Sequence, residues 1–300
     1  MDLRQLRYFA TVAEELHFGR AAERLHMTQP PLSQSILALE AEIGAVLFHR
    51  TKRSVSLTPI GAQWLVHVRR LLGDAAALPN IARRLSCGEE GALSLTFVST
   101  ADYSVLPTLL SDYKKRFPGV EVTLREATSD LQIECLLKGE VDAGLVIAPQ
   151  PAALHVSLSY LPVLREPLVA VVPERWLAEG RLETAGGSLR LASLLEAPLI
   201  LFPRRSAPAF HDLVTGVYAA CGRNPLIGQE AIQMQTIISL VSACMGIALV
   251  PKSLENLVRT GVRYLAFEGE PPQIETGLVW RSADASPALR HFIDVAAGMR

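Results

Sequence analysis

The chain has little cysteine. Cys87, Cys135, Cys221 and Cys244 are the only four in 300 residues, with no CxxC pair and no cluster of histidines nearby. That spacing argues against a metal site, so reduced, buried thiols are expected. A thiol redox sensor is the alternative, and it needs an electropositive setting that the local sequence does not supply. No segment approaches the roughly eighteen uninterrupted apolar residues of a membrane span, and the opening MDLRQLRYFATV lacks the apolar core of an export signal. A cytoplasmic protein without a membrane partner is expected. The GxSxG, P-loop, HExxH and paired-carboxylate motifs are all missing, and Asp130 and Glu134, one turn apart, read as a solvated helix face before an acid/base pair. Catalysis and a cofactor are therefore not expected. Net charge is also nearly absent, at −1 overall, but residues 1–70 hold nine Lys/Arg against six Asp/Glu, a local excess of three. So small a bias favours placed contacts over a broad basic field.

Against these absences, residues 18–42 carry a clear pattern. Phe18, Ala21, Ala22 and Leu25 recur at helical spacing, His26-Met27-Thr28 interrupts them, and Leu32, Ile36, Leu39 and Ile43 resume. Two short helices around a tight turn are predicted. Thr28 suits the N-cap of the second, and Pro30 and Pro31 fall in its first turn, where proline costs little. Its outward face carries Gln29, Ser33 and Gln34, donors and acceptors suited to base edges and phosphates. Helix hairpins are common, so a purely structural pair is the alternative. Gly44 supplies a terminating glycine, after which residues 46–57 read as two short strands around a basic turn. Arg50, Lys52 and Arg53 there form either a wing beside a duplex or a solvated charged hairpin.

From Thr58 a long helix follows, with Trp64, Val68, Leu71, Ala75, Leu78, Ala82 and Leu85 at alternating spacings of four and three. This stripe predicts pairing with the same helix of a second subunit. Pro79 lies inside it and is expected to kink the helix or end its regular part near Leu78. Residues 87–91 read as a polar hinge. Beyond them strands and helices alternate: strands at 92–99, 120–126 and 143–147 with helices at 105–117 and 129–138, then strands at 168–172, 199–202 and 247–250 with helices at 209–221 and 235–243. Repeated βαβ units predict parallel sheet in two α/β units with a cleft between them.

Ligands of such sheets bind at the carboxyl ends of strands, where helix N-termini favour anions. Ser99-Thr100, Thr128-Ser129 and Phe202-Pro203-Arg204-Arg205-Ser206 occupy such positions. Ordinary capping is the competing explanation for Thr128, and solvated cations the competing one for Arg204 and Arg205.

The stretch from Arg4 to Gly61 resembles the N-terminal domain of LysR-type transcriptional regulators, through AA-x-x-L-H-x-T-Q-P-x-L-S and L-F-x-R-x-x-R-x-V-x-L-T-x-x-G. Its QPPLS version is similar to the branch controlling degradation of aromatic compounds. The resemblance implies an α/β fold class: an N-terminal winged helix-turn-helix (1–58), a dimerising linker helix (59–86), a hinge (87–91) and a two-lobed periplasmic-binding-protein-like effector domain. Lobe I would hold 92–162 and 268–300, and lobe II 163–267, with crossovers near Leu161–Leu164 and Ala266–Glu268. It implies DNA contacts at Gln29, Pro30, Pro31, Ser33 and Arg53, and effector contacts at Ser99 and Thr128, with Pro203 opposite and Met234-Gln235 at another helix start. The partners implied are a double-stranded operator, a small carboxylate such as an aromatic acid or a muconate-like dicarboxylate, and further copies of the chain forming a homodimer and then a homotetramer. RNA polymerase is a further candidate partner. Two departures stand out. Many relatives have Arg-Gln where this chain has Gln34-Ser35, which removes a bidentate guanine reader. Relatives often have Gly-x-Gly where it has Cys244-Met245-Gly246, so a different local backbone is expected. A solute-binding protein would share the cleft but would carry an export signal and no DNA reader.

Overall fold

The computed structural model describes residues 1–51, 54–147, 154–284 and 286–299. Lys52 and Arg53, two of the wing cations, lie outside the described residues. The chain divides into two compact units, Met1–Arg83 and Arg84–Arg300.

The first unit contains α1 (Leu3–Glu15), α2 (Phe18–Arg24), α3 (Gln29–Ile43), β1 (Phe48–Arg50), β2 (Val55–Leu57) and most of α4 (Pro59–Ser86). Leu32, Ile36 and Leu39 of α3 are fully buried against Phe9, Val12 and Ala21, each such side chain contributing roughly 1.5–3 kcal/mol. Thr28 occupies the N-cap position of α3 with extended backbone, yet its hydroxyl makes no capping hydrogen bond. The cause is local: an N-cap side chain accepts from the N–H of the second or third helical residue, and here those are Pro30 and Pro31, which have none. Gly44 ends the helix at φ 69. β1 and β2 pair antiparallel, Phe48 opposite Leu57 and Arg50 opposite Val55. The T-P-x-G exit has a steric reason. Thr58 donates its hydroxyl to the Val46 carbonyl at 2.8 Å and accepts from the Gly61 N–H at 2.9 Å, while a Cβ on Gly61 would collide with the Leu47 carbonyl.

Two expectations for α4 are corrected. The helix runs through Pro79 to Ser86, so of the two expectations for Pro79, a kink or an end near Leu78, the end is not met. Trp64 and Val68 do not belong to a free stripe: Val68 is buried in the first unit's core, and the Trp64 ring lies 4.7 Å from that of Phe9. The stripe left open starts later, at Leu71, Leu78 and Leu85, which are 47%, 61% and 48% exposed.

The second unit runs β3 (Glu90–Phe97), α5 (Ser99–Asp102), α6 (Val105–Arg116), β4 (Gly119–Glu126), α7 (Ser129–Lys138), β5 (Ala143–Ile147) and β6 (Leu158–Pro173). Next come α8 (Glu174–Ala178), β7 (Thr184–Ala185), β8 (Ser188–Leu189), α9 (Leu191–Glu196), β9 (Leu199–Leu201), α10 (Pro208–Ala220), β10 (Ile227–Glu230) and α11 (Met234–Ser242). β11 (Ala248–Pro251), a 3₁₀ turn (Lys252–Asn256), β12 (Val262–Leu265), β13 (Gln273–Arg281) and α12 (Pro287–Ala297) complete it.

The sheet is mixed where a parallel one was expected. β3 pairs parallel with β4 and β5, but β13 runs antiparallel to β5 and β6, and β11 and β12 antiparallel to β6. A separate two-stranded parallel sheet is formed by β9 with β10. β6 is the reason for the mixture: it is sixteen residues long, beside β13 as far as Pro167 and beside β11 from Leu168. One strand thus passes between two cores. Leu93, Leu109, Leu278 and Phe292 belong to one, and Val171, Leu199, Phe210 and Ile238 to the other.

Within the expected hinge, residues 87–91, Cys87 and Gly88 contact α12 while Cys87 and Glu89 stay exposed. The Cys87 carbonyl lies 2.8 Å from His291 Nε2, and Gly88, at φ 70, sits so close to Pro287 and Ala288 that a Cβ there would meet their backbone. The cysteines also differ from expectation: none of the four is buried, and all are free thiols. Arg125 places a guanidinium nitrogen 2.6 Å from Cys135 Sγ, an electropositive neighbour the local sequence did not reveal.

Cys244 sits at φ 62, in the left-handed region that glycine occupies without a Cβ penalty. Cys244→Gly should therefore raise stability by about 0.5–1 kcal/mol, read as a higher denaturant midpoint at unchanged slope; a lower midpoint would show that the thiol's packing outweighs the strain.

Candidate functional site

Two regions collect the residues singled out in the sequence, one in each unit. In the first, α3 presents Gln29, Pro30, Pro31 and Gln34 on an exposed face, with Ser33 half-buried beside them. An open row of amides at a helix start, unused by the protein's own packing, is the geometry of a groove reader.

Arg50 has another role. Its Nη2 donates to Glu40 Oε2 at 2.7 Å, and its guanidinium lies 4.9 Å from the centre of the Phe18 ring. Glu40 is buried, and its other oxygen accepts from the backbone N–H groups of Leu47 and Phe48 at 2.8 and 3.1 Å. One carboxylate thus fastens β1 to α3. Arg50 completes that network, so the expected duplex contact by Arg50 is replaced by a positioning role. Glu40 was missed in the sequence, although a carboxylate on the stripe Ile36, Leu39, Ile43 is a signal, since a buried charge requires a partner.

In the second unit a cavity of about 250 Å³ is lined by Ser99 and Thr100 after β3, Thr128 and Ser129 after β4, Phe202 after β9, and Met234 at the start of α11. Six of the nine expected effector positions meet there. Pro203, Arg204 and Gln235 do not line it. Gln235 lies on a small adjoining pocket of about 50 Å³. Arg204 lies on a wider neighbouring cavity of about 520 Å³ and is committed to Asp212, donating from Nε and Nη2 at 2.8 and 2.9 Å. That hydrogen-bonded guanidinium pulls the Asp212 carboxyl down to about 2.

No lysine or arginine lines the 250 Å³ cavity among the described residues; its polar lining is the hydroxyls of Ser99, Thr100, Thr128, Ser129 and Ser206, the Gln233 amide and one carboxylate, Glu126. α7, α10 and α11 begin at Thr128, Ala207 and Gln233, all on its wall, and none has a side-chain cap. Capping by the Thr128 hydroxyl, the ordinary role for that residue, is thereby not realised. The first-turn N–H groups of α7 and α11 stay open to a ligand. Thr100 also lines the cavity: it is 2% exposed and its hydroxyl has no hydrogen-bond partner within the protein. Ser129 is used within the protein, accepting from the Ile147 N–H at 3.2 Å. Gln132, not anticipated, is fully buried and donates to the carbonyls of Ala127 and Leu145 at 2.9 and 3.1 Å, fixing the strand ends beneath the cavity.

A winged helix-turn-helix joined through a long helix to an α/β domain with a ligand-sized cavity defines a DNA-binding regulator with a small-molecule sensor. Residues 3–62 match the bacterial regulatory helix-turn-helix protein, lysR family, and residues 87–299 match the LysR substrate binding domain. The chain belongs to the LysR family of DNA-binding transcription regulators. It is 59% identical over 293 residues to the HTH-type transcriptional regulator IlvR of Caulobacter vibrioides, covering 98% of this chain and 96% of that protein. It is 38% identical to the HTH-type transcriptional regulator AlsR of Bacillus subtilis, over 99% of this chain and 95% of that one. Among solved structures, full-length CbnR complexed with its target DNA is similar with a TM-score of 0.79 at 29% identity, covering 100% of this chain and 99% of that one.

Glu40→Ala should cost about 3 kcal/mol, because it strands Arg50 and two backbone donors in a mostly buried site. Chemical denaturation of the full-length protein checks this; a loss below about 1 kcal/mol, the range of an exposed ion pair, would show that the network does not fasten the wing.

Proposed function

We propose that this regulator binds a small organic carboxylate in the 250 Å³ cavity and that the ligand alters its binding or bending of operator DNA. The observation that carries the reading is the convergence of the uncapped N-termini of α7 and α11 with the unpartnered Thr100 hydroxyl on one cavity. Neutral N–H donors and helix dipoles suit an anion. Ser99, Thr100 and Thr128 are its closest partners, and Phe202 and Met234 its apolar walls. The branch resemblance points to an aromatic acid or a muconate-like dicarboxylate as the effector.

The N-terminal residues 1–58 read DNA through Gln29, Pro30, Pro31, Ser33 and Gln34, with Arg53 and Lys52 of the wing at phosphates or the minor groove. Residues 59–86 pair two chains through Leu71, Ala75, Leu78 and Leu85, three of which repeat at seven-residue intervals. Pairs of dimers form a homotetramer on an imperfect palindrome. Lobe I comprises 92–162 with 268–300, and lobe II 163–267. A ligand bridging them favours one arrangement of subunits, and with it one spacing of DNA readers and one DNA bend. The setting for such work is the cytoplasm, beside RNA polymerase; no helix among the described residues is long and apolar enough to cross a membrane.

A screen of small carboxylates by thermal shift should find one that stabilises the protein, and Thr100→Val should weaken it by about tenfold, the equivalent of one charge-assisted hydrogen bond. Equal affinity in the variant would remove Thr100 from the site. Replacing Leu71 and Leu78 by glutamate should halve the mass in solution and weaken DNA binding, whereas an unchanged mass would refute the helix pairing.

A further inference from the structure

The 250 Å³ cavity has a side pocket of about 50 Å³, which shares Ser99, Glu126, Gln233 and Met234 with it and adds Asp102, Tyr103 and Gln235. Its chemistry is opposite to that of the helix starts. Two carboxylates, Asp102 and Glu126, line it with side-chain amides, and no described lysine or arginine lines either compartment. Both carboxylates are exposed at the pocket mouth, and neither is ion-paired among the described residues. Arg125, next to Glu126, turns to the opposite face of β4 and is engaged with Cys135. The Tyr103 hydroxyl senses the same field: burial pushes its pKa up, its hydrogen bond with Gln235 lowers it, and Asp102 and Glu126 each push it up again.

A second carboxylate of a dicarboxylic ligand placed here would meet two like charges, and a simple acid would leave both unanswered. The small pocket instead has the size and charge for one ammonium group, with Glu126 on the boundary where a short ligand would turn from one compartment to the other. Apolar walls at Phe202, Phe210 and Leu131 remain for a compact side chain. The main cavity is also smaller than the roughly 300–1,000 Å³ usual for drug-sized ligands.

We infer that the effector is a small amino acid-like zwitterion, its carboxylate at Thr100 and Thr128 and the start of α7, its ammonium group between Asp102 and Glu126, and its apolar side chain against Phe202 and Phe210. This rests on the proposal that the cavity binds a carboxylate, and it puts a zwitterion in place of the aromatic acid or dicarboxylate that the branch resemblance suggests. The buried, unpartnered Thr100 hydroxyl marks the anion end, and the paired carboxylates mark the cation end.

The test is calorimetric titration of the full-length protein with L-alanine, L-valine, L-leucine and L-phenylalanine, each beside the acid left when its amine is replaced by hydrogen. At least one amino acid should bind about tenfold tighter than its partner acid, the worth of one charge-assisted contact. Glu126→Gln should erase that preference without weakening the acid. Asp102→Asn should reduce it in the same direction, and circular dichroism of the unliganded variants checks that both fold. Acids that bind as well as or better than the amino acids, or a preference that survives both substitutions, would overturn the ammonium pocket while leaving the carboxylate reading intact. If neither series binds, both readings fall.

Discussion

The first N–H groups of a helix have no partner inside it and take one from a side chain, from water or from a ligand. In this chain α7 and α11 start on the same small cavity, with Gln233 and Thr128 at positions where a cap is possible and none is made. The Thr100 hydroxyl, buried and unpartnered, adds to the deficit. Much of the second unit holds this deficit in place. Gln132 ties the ends of β4 and β5 beneath the cavity, Ser129 ties α7 to the end of β5, and the long β6 joins the two cores whose elements supply the opposite walls. The proposed carboxylate would supply partners to these groups.

The first unit is fastened by the reverse device, a buried charge fully answered. Glu40 gathers the start of β1 and the Arg50 guanidinium, so the wing strand is fixed to the helix that carries Gln29 and Gln34. Fixing those elements to each other is what a DNA reader needs, because affinity for a groove depends on amides and cations being held in one register before binding. Thr58 and Gly61 do the same where the wing passes into α4.

The motifs around Ala21-Ala22 and Gln29-Pro30-Pro31 were legible because they depend on local geometry: a turn, a helix start and a buried stripe. Roles that depend on what lies across the fold were not. Arg50 looked like its neighbours in a basic run, and only the return of β1 over α3 turns it toward Glu40. Trp64 and Val68 fit the heptad stripe of α4, but the same spacing serves a helix packed on its own domain, and Phe9 occupies their side. The alternation of strands and helices in the sequence predicts a parallel sheet. The antiparallel β13 reverses that, since the return of the chain leaves no periodic trace. For the cavity, strand-end positions identified the hydroxyls but not Glu126 or Gln132, whose significance depends on having no cation nearby in the first case and on two carbonyls in the second.

In the proposed mechanism, occupation of the cavity in the second unit changes how the first unit engages DNA. Operator bending, followed by fluorescence energy transfer between labels at the two ends of a bound duplex, tests it most directly. A cavity ligand that stabilises the wild-type protein should shift the transfer efficiency at saturating protein, and should fail to do so at the same concentration in Thr100→Val. An efficiency and a footprint both unchanged by a tightly bound cavity ligand would refute that coupling.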